Sequence, residues 1–367
     1  MSYNILCDRY ATVSQYGYTP SEALSWGYRK YIILNELKES DADIFCLQEV
    51  DQENYNEFFR KELAPYDYRG TFWPKTRAKT MSEREAKLVD GCATFYKNSK
   101  YILLDKTVIE FSNIAINRED MKGASDMYNR VMPRDNIAVA AFLENRQTGS
   151  RLVVVNAHIL WDPAYEDVKL VQVGIMMEQV QKLAVTWARH PPCLSKAMFR
   201  HAEADGDSKD DSAEATPPEM APSQTYTDAA SIPLLVCGDF NASSGSGVHE
   251  LILNGRISSD HEDIVDRHYG TFTKQGMQHP FLLKSAYNDE LSFTNYTPNF
   301  QGVLDYIWYS HNNLQLKGLL GNVDLEYLRN VPGFPNHHFP SDHLPIRAEF
   351  AIKPRKAPKA IGAERGN

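Results

Sequence analysis

Short apolar runs alternate with amphipathic segments along most of the chain. The opening run at 3–6 reads as a strand, and a helical apolar period follows from a capping signal at 19–22 as far as residue 39. A second strand is expected at 43–47 and a second helix at 55–63. This order of strand, helix, strand and helix predicts an α/β architecture.

The same patterns continue towards the C-terminus. Residues 72–89 are expected to form a basic loop, and 281–297 an irregular aromatic segment. Helices are expected at 165–187 and 248–253. Further strands are expected at 92–96, 101–111, 137–143, 152–155, 232–237, 302–310, 314–320 and 344–351.

The distribution of these elements predicts one domain over 1–352. Residues 201–230 are rich in Asp, Glu, Ser, Ala and Pro, so we expect a disordered acidic insertion there. Residues 353–367 are expected to form a basic, flexible tail. Because the chain opens directly in a strand pattern, without a visible signal peptide, we expect it to be a piece of a longer protein.

Composition and charge narrow the class of protein. The net charge of −9 argues against a protein that coats nucleic acid by charge alone, although residues 69–100 carry eight basic and three acidic side chains. No apolar run reaches the length of a membrane span, so no membrane association is expected. Five cysteines without a CxxC pair favour reduced thiols over disulfides or a zinc site.

The first candidate site follows the apolar run at 232–237. Gly238 frees the backbone there, and Asp239 and Asn241 lie two residues apart, so in an extended chain both side chains face one spot. A carboxylate and an amide suit Mg²⁺, a water nucleophile or a phosphate oxygen. An ordinary turn explains this stretch equally well when it is taken alone.

Polar side chains recur at the ends of the other expected strands. Asp305 lies inside a strongly apolar run, where a carboxylate is costly to bury without a partner or a metal. Such a set supplies oxygen ligands for Mg²⁺, a base for water and donors around phosphorus. The members of this set are Asn4, Glu49, Asn156, His158, Asp239, Asn241, Asp305, Asp342 and His343.

Together these motifs resemble the endonuclease/exonuclease/phosphatase superfamily, in its order and over nearly the whole chain. The resemblance rests on Leu47-Gln48-Glu49, Asn156-Ala157-His158, Gly238-Asp239-Phe240-Asn241, Leu304-Asp305-Tyr306-Ile307 and Ser341-Asp342-His343. It implies a two-sheet α/β sandwich of the DNase I-like type, with the site at one end of the sheets.

Further blocks are similar to the nuclease domain of the carbon catabolite repressor deadenylases, the catalytic subunits of the Not-complex deadenylase. They include Lys75-Thr76-Arg77-Ala78-Lys79-Thr80-Met81 and Asn129-Arg130-Val131-Met132-Pro133-Arg134-Asp135-Asn136. The resemblance implies a Mg²⁺-dependent 3′–5′ exoribonuclease that shortens mRNA poly(A) tails and releases 5′-AMP. Two Mg²⁺ ions are expected, with Mn²⁺ able to substitute.

The resemblance also implies roles for single residues. Glu49 binds the principal metal with Asn4 close by, and Asp239 acts as base for the attacking water or as a ligand. Asn241 steadies the phosphorus centre and also contacts the substrate. His158 donates to a phosphate oxygen, and His343 contacts phosphate or a second metal, with its tautomer fixed by Asp342. Asp305 binds the second metal or orients His158.

The same family implies an adenine clamp between Phe300 and Pro163, with Asn156 nearby. Core packing explains Phe300 equally well. Lys75, Arg77 and Lys79 either steer the phosphate backbone or belong to a solvated loop. Single-stranded poly(A) RNA is the expected substrate.

The binding partners that the resemblance implies are the other Not-complex subunits, including a second deadenylase. They would dock on leucine-rich repeats, which are absent from this sequence, so partner binding depends on such repeats lying upstream. The family implies a location in the cytoplasm, including processing bodies, and in the nucleus.

Three rival functions use the same motifs. A nocturnin-type phosphatase would remove the 2′-phosphate of NADP(H), but the flanking blocks favour the deadenylase. A DNA-repair endonuclease would need a broad basic face, which is not evident. A catalytically inactive scaffold is disfavoured by the intact set of acidic and histidine residues.

Overall fold

The computed structural model of the chain describes residues 1–194, 196, 220–288 and 290–354. Two β-sheets form the framework of these residues. The strands, in chain order, are β1 Ser2–Asn4, β2 Ile44–Asp51, β3 Tyr68–Pro74, β4 Asp90–Lys97, β5 Tyr101–Glu110, β6 Ile137–Asn145, β7 Arg151–His158, β8 Leu234–Asp239, β9 Arg256–Ile257, β10 Met277–Gln278, β11 Leu283–Ser285, β12 Asn295–Thr297, β13 Phe300–Gly302, β14 Asp305–Ser310, β15 Leu314–Leu319 and β16 Ala348–Ile352.

Helices lie mostly between these strands. Short π-helical segments at Tyr55–Phe59 and Met127–Val131, and several 3₁₀ turns, complete the connections. The α-helices are α1 Ser21–Leu24, α2 Trp26–Ser40, α3 Gln52–Asn54, α4 Arg60–Leu63, α5 Glu83–Ala86, α6 Phe111–Ile116, α7 Glu166–Ala188, α8 Gly247–Asn254, α9 Thr271–Gln275 and α10 Leu325–Leu328.

The first sheet has the strand order β1-β2-β4-β3, and the second has the order β11-β14-β8-β7-β6-β5. Strands β7 and β8 are parallel neighbours, and α7 lies between them in sequence. β14 pairs antiparallel with β8 on its other side. The C-terminal ends of β7 and β8 and the start of β14 therefore meet at one edge of the second sheet.

The two sheets face each other, and helices cover their outer faces. Cys46 of β2, Val154 of β7 and Ile307 of β14 belong to the apolar layer between the sheets. On the outside of the first sheet, Ile33 of α2 packs in a separate apolar cluster. Val171 of α7 packs on the outside of the second sheet. The expected α/β sandwich is confirmed.

Several boundaries differ from the sequence prediction. Strand β3 and helix α5 occupy part of the segment expected to be a loop, because Tyr68–Pro74 pairs with residues 91–97 of β4. The last strand is shorter than expected, since only Ala348–Ile352 pairs with β15. Strand β7 runs on as far as His158, so its polar residues belong to the sheet itself.

The expected acidic insertion lies partly outside the described residues, at 201–219. Its remaining part, 220–230, is held against the β6–β7 hairpin. Ser223 Oγ donates to Glu144 Oε1 at 2.7 Å, and the Arg151 backbone N–H donates to the Tyr226 hydroxyl at 2.8 Å. Of the expected basic tail, residues 355–367 lie outside the described residues, while Lys353 N–H donates to the Asn313 carbonyl at 2.8 Å.

Two further findings concern membranes and thiols. Among the described residues, no helix combines the length and hydrophobicity that a membrane span needs. No disulfide links the cysteines of that part of the chain, and Cys7, Cys46, Cys92 and Cys237 are buried.

Candidate active site

Three of the predicted site residues form a row across the second sheet. The strand register places His158 of β7 opposite Asp239 of β8, and Asp239 opposite Asp305 of β14. His158 Nε2 lies 3.7 Å from Asp239 Oδ2. All three side chains are buried. Two carboxylates side by side in the interior repel each other unless a proton, a cationic side chain or a metal compensates the charge.

The glycine before Asp239 allows this row to form. Gly238 has φ +148°, and a Cβ built on it would lie 2.0 Å from the Ala157 carbonyl oxygen on β7. Only glycine fits so close an approach of two backbones. The short contact keeps β7 and β8 paired up to His158 and Asp239.

The first sheet contributes Glu49 and Asn4 to the same place. Glu49 lies at a β-bulge in β2 and has φ +59°, an uncommon conformation for a non-glycine residue. Its Oε2 accepts the Cys7 backbone N–H at 2.9 Å. Asn4 Nδ2 lies 3.1 Å from Glu49 Oε1 and 3.0 Å from Asp239 Oδ2, so one amide group joins the carboxylates of the two sheets.

Asn241 also adopts a left-handed conformation, with φ +49°. Its backbone N–H donates to Asp239 Oδ1 at 2.9 Å, and its Nδ2 donates to the Ile159 carbonyl at 3.0 Å. Lys169 of α7 donates to the Asn241 carbonyl at 2.7 Å. Strained backbone at both Glu49 and Asn241 is typical of functional sites.

His343 is oriented by Asp305 and not by Asp342, which corrects the sequence prediction. His343 Nδ1 lies 2.7 Å from Asp305 Oδ2, and its Nε2 lies 3.7 Å from Asp239 Oδ2. Thr294 Oγ1 also donates to Asp305 Oδ2 at 2.7 Å. Asp305 therefore does not act as the predicted orienter of His158.

Asp342 faces other partners. Its Oδ2 accepts the Tyr16 hydroxyl at 2.9 Å and Asn295 Nδ2 at 3.2 Å. Asp342 therefore does not hold the His343 ring, which meets Asp305 instead. Asp342 still lines the cavity described below.

The protonation states follow from this geometry. Burial raises the pKa of Asp239 to about 7, although the nearby His343 favours its charged form. Burial and then the charge of Asp90 raise the pKa of Glu49 above its ordinary value. Burial alone would lower the pKa of His343, but the charges of Asp305 and Asp239 raise it well above its ordinary value.

His158 behaves in the opposite way. Burial and the nearby charge of Lys75 lower the pKa of His158 well below its ordinary value, so this imidazole is neutral. Its Nδ1 is buried without a hydrogen-bond partner. The site therefore contains one cationic and one neutral histidine, which face the same carboxylate of Asp239.

These residues lie at a cavity of about 680 Å³. Trp161 and Phe300 contribute aromatic rings that are 70% and 45% exposed. Other lining residues include Tyr10, Tyr16, Glu49, Lys75, Arg77, Pro133, Arg134, His158, Asp239, Asn241, Asp342 and His343.

Two predicted substrate-binding residues do not reach this cavity. Asn156 is buried between the sheets, where its Oδ1 accepts Gln48 Nε2 at 2.8 Å and its Nδ2 donates to the Leu47 and Ala93 carbonyls. Asn156 therefore ties the sheets together. Pro163 is exposed at the start of a 3₁₀ turn and is not among the lining residues.

The predicted basic loop is neutralised by acidic neighbours. Lys75 Nζ lies 2.8 Å from Asp90 Oδ2, and Arg77 pairs with both Asp90 and Asp135. Lys79 pairs with Glu110. Lys75 and Arg77 hold the pKa of Asp90 well below its ordinary value despite its burial.

Asp90 is a site residue that sequence reasoning missed. The available signal was its position directly before an apolar strand. Because β4 runs antiparallel to β2, its first residue, Asp90, lies opposite Asp51 near the end where Glu49 emerges. A polar residue at the start of an antiparallel strand can thus reach the same edge as residues at the ends of its neighbours.

The donor set suits a cation. Ligand atoms of Asp239, Asp305 and His343 all lie within 4.8 Å of one another, and all three residues are buried. Asp305 Oδ1 is buried without a hydrogen-bond partner, which is costly unless a further group binds it. Glu49 and Asp239 add carboxylate oxygens joined by Asn4. These residues therefore fit a metal site.

The chain matches known proteins over essentially its whole length. The chain is 58% identical over 368 residues to the CCR4-Not complex 3′-5′-exoribonuclease subunit Ccr4 of Phaeosphaeria nodorum, covering 100% of this chain and 61% of that protein. It is 58% identical over 358 residues to the same subunit of Coccidioides immitis, covering 97% of this chain and 47% of that protein. The chain thus spans roughly half to three fifths of these relatives.

Solved structures share the fold at lower identity. ANGEL2, a 2′,3′-cyclic phosphatase in complex with adenosine-2′,3′-vanadate, matches with a TM-score of 0.68 and 24% identity, covering 96% of this chain and 94% of that one. The human nocturnin catalytic domain matches with a TM-score of 0.56 and 22% identity, covering 95% and 92%.

A family model gives the decisive match, because it spans most of the chain. It describes the endonuclease/exonuclease/phosphatase family and matches residues 1–343, from the strand that carries Asn4 to His343. This chain belongs to the endonuclease/exonuclease/phosphatase family.

Proposed function

We propose that this chain is a Mg²⁺-dependent 3′–5′ exoribonuclease that shortens the poly(A) tails of mRNA and releases 5′-AMP. The observation that carries the proposal is the meeting of Glu49, Asp239, His158 and His343 at one aromatic-lined cavity, where the buried Asn4 joins the two carboxylates. The curated relatives named 3′-5′-exoribonuclease support the substrate class, since they match along essentially the whole chain.

We assign Mg²⁺ to the carboxylates because hard oxygen ligands are those it prefers. Glu49, with Asn4 beside it, would hold the principal ion, and Asp239 and Asp305 would serve a second. When bound, Mg²⁺ supplies charge that polarises the phosphate and lowers the pKa of water. His343 lies within the same donor set, and where the second ion is absent its protonated ring would donate to a phosphate oxygen.

Asp239 is placed to manage the proton of the attacking water. Without a bound ion, burial raises the pKa of Asp239 to about 7, which is near the working pH of a good base; an ion on its carboxylate would lower that pKa and make Asp239 a ligand instead. The Asn241 N–H holds Asp239 Oδ1, which leaves Oδ2 directed towards Asn4 and the two histidines. Asn241 lines the cavity beside it and would donate to the substrate phosphate.

The two histidines would stabilise the negative charge that develops on the phosphate. His343 carries a proton on Nε2 while Nδ1 faces Asp305, so it can donate a charge-assisted hydrogen bond. His158 is neutral and still carries one N–H for a phosphate oxygen. The pair therefore combines one cationic and one neutral donor.

Adenine recognition would rest on stacking. Phe300 lines the cavity and is 45% exposed, so it is available to a base. Pro163, predicted as the second wall, does not line the cavity, whereas the more exposed Trp161 does. We therefore propose that Phe300 stacks on the terminal adenine and that Trp161 supplies the second aromatic surface.

The proposals for binding partners and for cellular location rest on the relatives alone. Their names describe a subunit of the CCR4-Not complex, and this chain matches only part of their length. We propose that this chain acts within such a complex, with a second deadenylase bound through leucine-rich repeats where these accompany it. A cytoplasmic and nuclear location would follow.

A substrate panel tests the proposed function. The purified chain would be incubated in Mg²⁺ with RNA ending in about twenty adenosines, with an equivalent oligo(U) tail, with NADP(H) and with a 2′,3′-cyclic nucleotide. Release of 5′-AMP from the oligo(A) tail at a rate well above the others is expected. Faster release of phosphate from NADP(H) would replace the deadenylase by a 2′-phosphatase, and no turnover of any substrate would favour an inactive scaffold.

A further inference from the structure

Among the described residues, three lysine and arginine side chains line the cavity, and one of them has no acidic partner. Lys75 is paired with Asp90, and Arg77 with Asp90 and Asp135. Within the described part of the chain, Arg134 forms no ion pair, although it lines the same cavity. Its charge is therefore available to an anion that enters.

Arg134 is also held in place. Its guanidinium lies 4.1 Å from the centre of the Tyr165 ring, and its Nε donates to the Arg130 carbonyl at 3.3 Å. Such a stacked guanidinium has lost much of its freedom before a ligand arrives, while its remaining N–H groups stay free for hydrogen bonds.

The neighbouring Arg130 explains why the two arginines differ. Arg130 stacks over the same Tyr165 ring at 4.4 Å, but it donates to both oxygens of Asp167, each at 2.7 Å. The buried Asp167 also accepts a hydrogen bond from the Tyr269 hydroxyl. Arg130 thus belongs to the scaffold that holds Tyr165, whereas Arg134 faces the cavity.

We propose that Arg134 binds a backbone phosphate of the substrate RNA on the 5′ side of the bond that is cleaved. This inference rests on the proposed function. Arg134 is held by the Tyr165 ring and the Arg130 carbonyl and not by the side chains around Glu49 and Asp239, and we assign to it the phosphate next to the one that those side chains would hold. In a 3′ exonuclease that removes the terminal nucleotide, the neighbouring phosphate can lie only on the 5′ side.

The side chains around Arg134 suit the binding of single-stranded RNA. The exposed rings of Trp161 and Phe300 line the same cavity as Arg134. Interleaved cationic and aromatic side chains are typical of surfaces that bind single-stranded nucleic acid by stacking and phosphate contact. The planar guanidinium matches two phosphate oxygens at once, which a lysine cannot do.

The test compares two substrates that differ in their phosphates. The dinucleotide ApA has only the phosphodiester that is cleaved, whereas an eight-nucleotide oligo(A) also has phosphates on its 5′ side. Wild type, Arg134→Ala, Arg134→Lys and Arg256→Ala would be assayed for kcat and KM on both. Arg256 is an exposed arginine away from the cavity and serves as the matched control.

We expect Arg134→Ala to raise KM for oligo(A) about tenfold more than for ApA, with kcat for oligo(A) little changed. Arg134→Lys should recover part of the loss, since it keeps the charge but not the planar fork. Binding of fluorescent oligo(A) in EDTA, followed by anisotropy at several KCl concentrations, should lose about 0.7 from the salt slope in Arg134→Ala.

Equal losses on ApA and oligo(A) would overturn the assignment to the 5′-side phosphate. Wild-type behaviour of Arg134→Ala on oligo(A), in KM and in salt slope, would overturn the inference while the exonuclease stands. If wild type cleaves no RNA, the proposed function fails, and the anisotropy series decides the phosphate contact separately. Far-UV circular dichroism of each variant would show that a loss does not come from unfolding.

Discussion

Asn4 joins the acidic groups of the two sheets, so we expect its replacement to lower the free energy of unfolding. Its Nδ2 lies 3.1 Å from Glu49 Oε1 and 3.0 Å from Asp239 Oδ2, and its Oδ1 accepts the Leu6 backbone N–H at 3.1 Å. The substitution Asn4→Asp keeps the shape but places a third carboxylate where a donor is needed. Asn4→Ala removes the donor without adding charge.

The magnitude follows from these distances. Two unit charges about 3 Å apart repel by about 5 kcal/mol at an effective dielectric constant of about 20. Proton uptake limits the cost, because each pKa unit is worth about 1.4 kcal/mol and an ordinary Asp pKa lies about four units below pH 8. Because Asn4→Asp loses the same Nδ2 donor as Asn4→Ala and adds this repulsion, we expect its free energy of unfolding at pH 8 without metal to lie about 3–5 kcal/mol below that of Asn4→Ala.

The alanine variant should lose less. It forfeits the two hydrogen bonds from Nδ2 to carboxylates, at about 1.5–3 kcal/mol each, and the one that Oδ1 accepts from the Leu6 N–H, but it adds no charge. At pH 5 the two variants should converge, because burial already raises the pKa of Asp239 to about 7 and that carboxyl group is protonated there. The pH dependence thus separates charge repulsion from lost packing.

Urea unfolding in EDTA at pH 8 and pH 5, followed by circular dichroism, measures these differences. Asn254→Asp adds the same charge at an exposed position on α8 and serves as the control. Equal stability of Asn4→Asp and Asn4→Ala at pH 8 would refute the reasoning. So would a difference between them that is unchanged at pH 5.

The remaining predictions concern metal binding, backbone fit and base stacking. Burial raises the pKa of Asp239 to about 7, so the contribution of its protonated form to metal-free stability falls as the pH rises from about 4 through 7. Because Mg²⁺ must displace this proton in order to bind, Mg²⁺ should raise the Tm more at pH 8 than at pH 6. Equal gains in Tm would contradict this. Gly238→Ala should cost more than about 3 kcal/mol in urea unfolding, because the new Cβ would lie 2.0 Å from the Ala157 oxygen; a loss below about 1 kcal/mol would show that β7 and β8 can separate freely. Phe300→Ala should weaken the binding of oligo(A) by about 1–3 kcal/mol, which would be measured as a rise in KM. Replacement of the exposed Leu253 by alanine should leave KM unchanged. An unchanged KM for Phe300→Ala would instead assign Phe300 a packing role.

The sequence pattern predicted the row of site residues because strand ends can be read from apolar runs. His158, Asp239 and Asp305 each follow or begin such a run, and parallel or antiparallel pairing brings them to one edge. Alternation along a strand tells which face a side chain takes, but it does not tell its depth. Asn156 lies on the same face of β7 as His158, but it is two residues further from the end of the strand and is therefore buried between the sheets.

Other errors came from contacts between distant parts of the chain. His343 lies beside Asp342 in sequence, but its ring meets Asp305, which is thirty-eight positions away. The sequence does not decide whether the basic residues steer phosphate or lie in a solvated loop, since strand β3 is not recognised from it and only the pairing of β3 with β4 brings Lys75 to Asp90. Local patterns do not carry information of this kind.

The central claim is that the buried carboxylates bind a metal and remove adenosines from a 3′ end. The most direct measurement is a gel time course with 5′-labelled RNA ending in about twenty adenosines, in Mg²⁺ and in EDTA, for wild type and Glu49→Ala. We predict stepwise shortening of the tail in Mg²⁺ and intact RNA in EDTA and with the variant. Shortening that persists in EDTA, or intact RNA in every lane, would contradict the account.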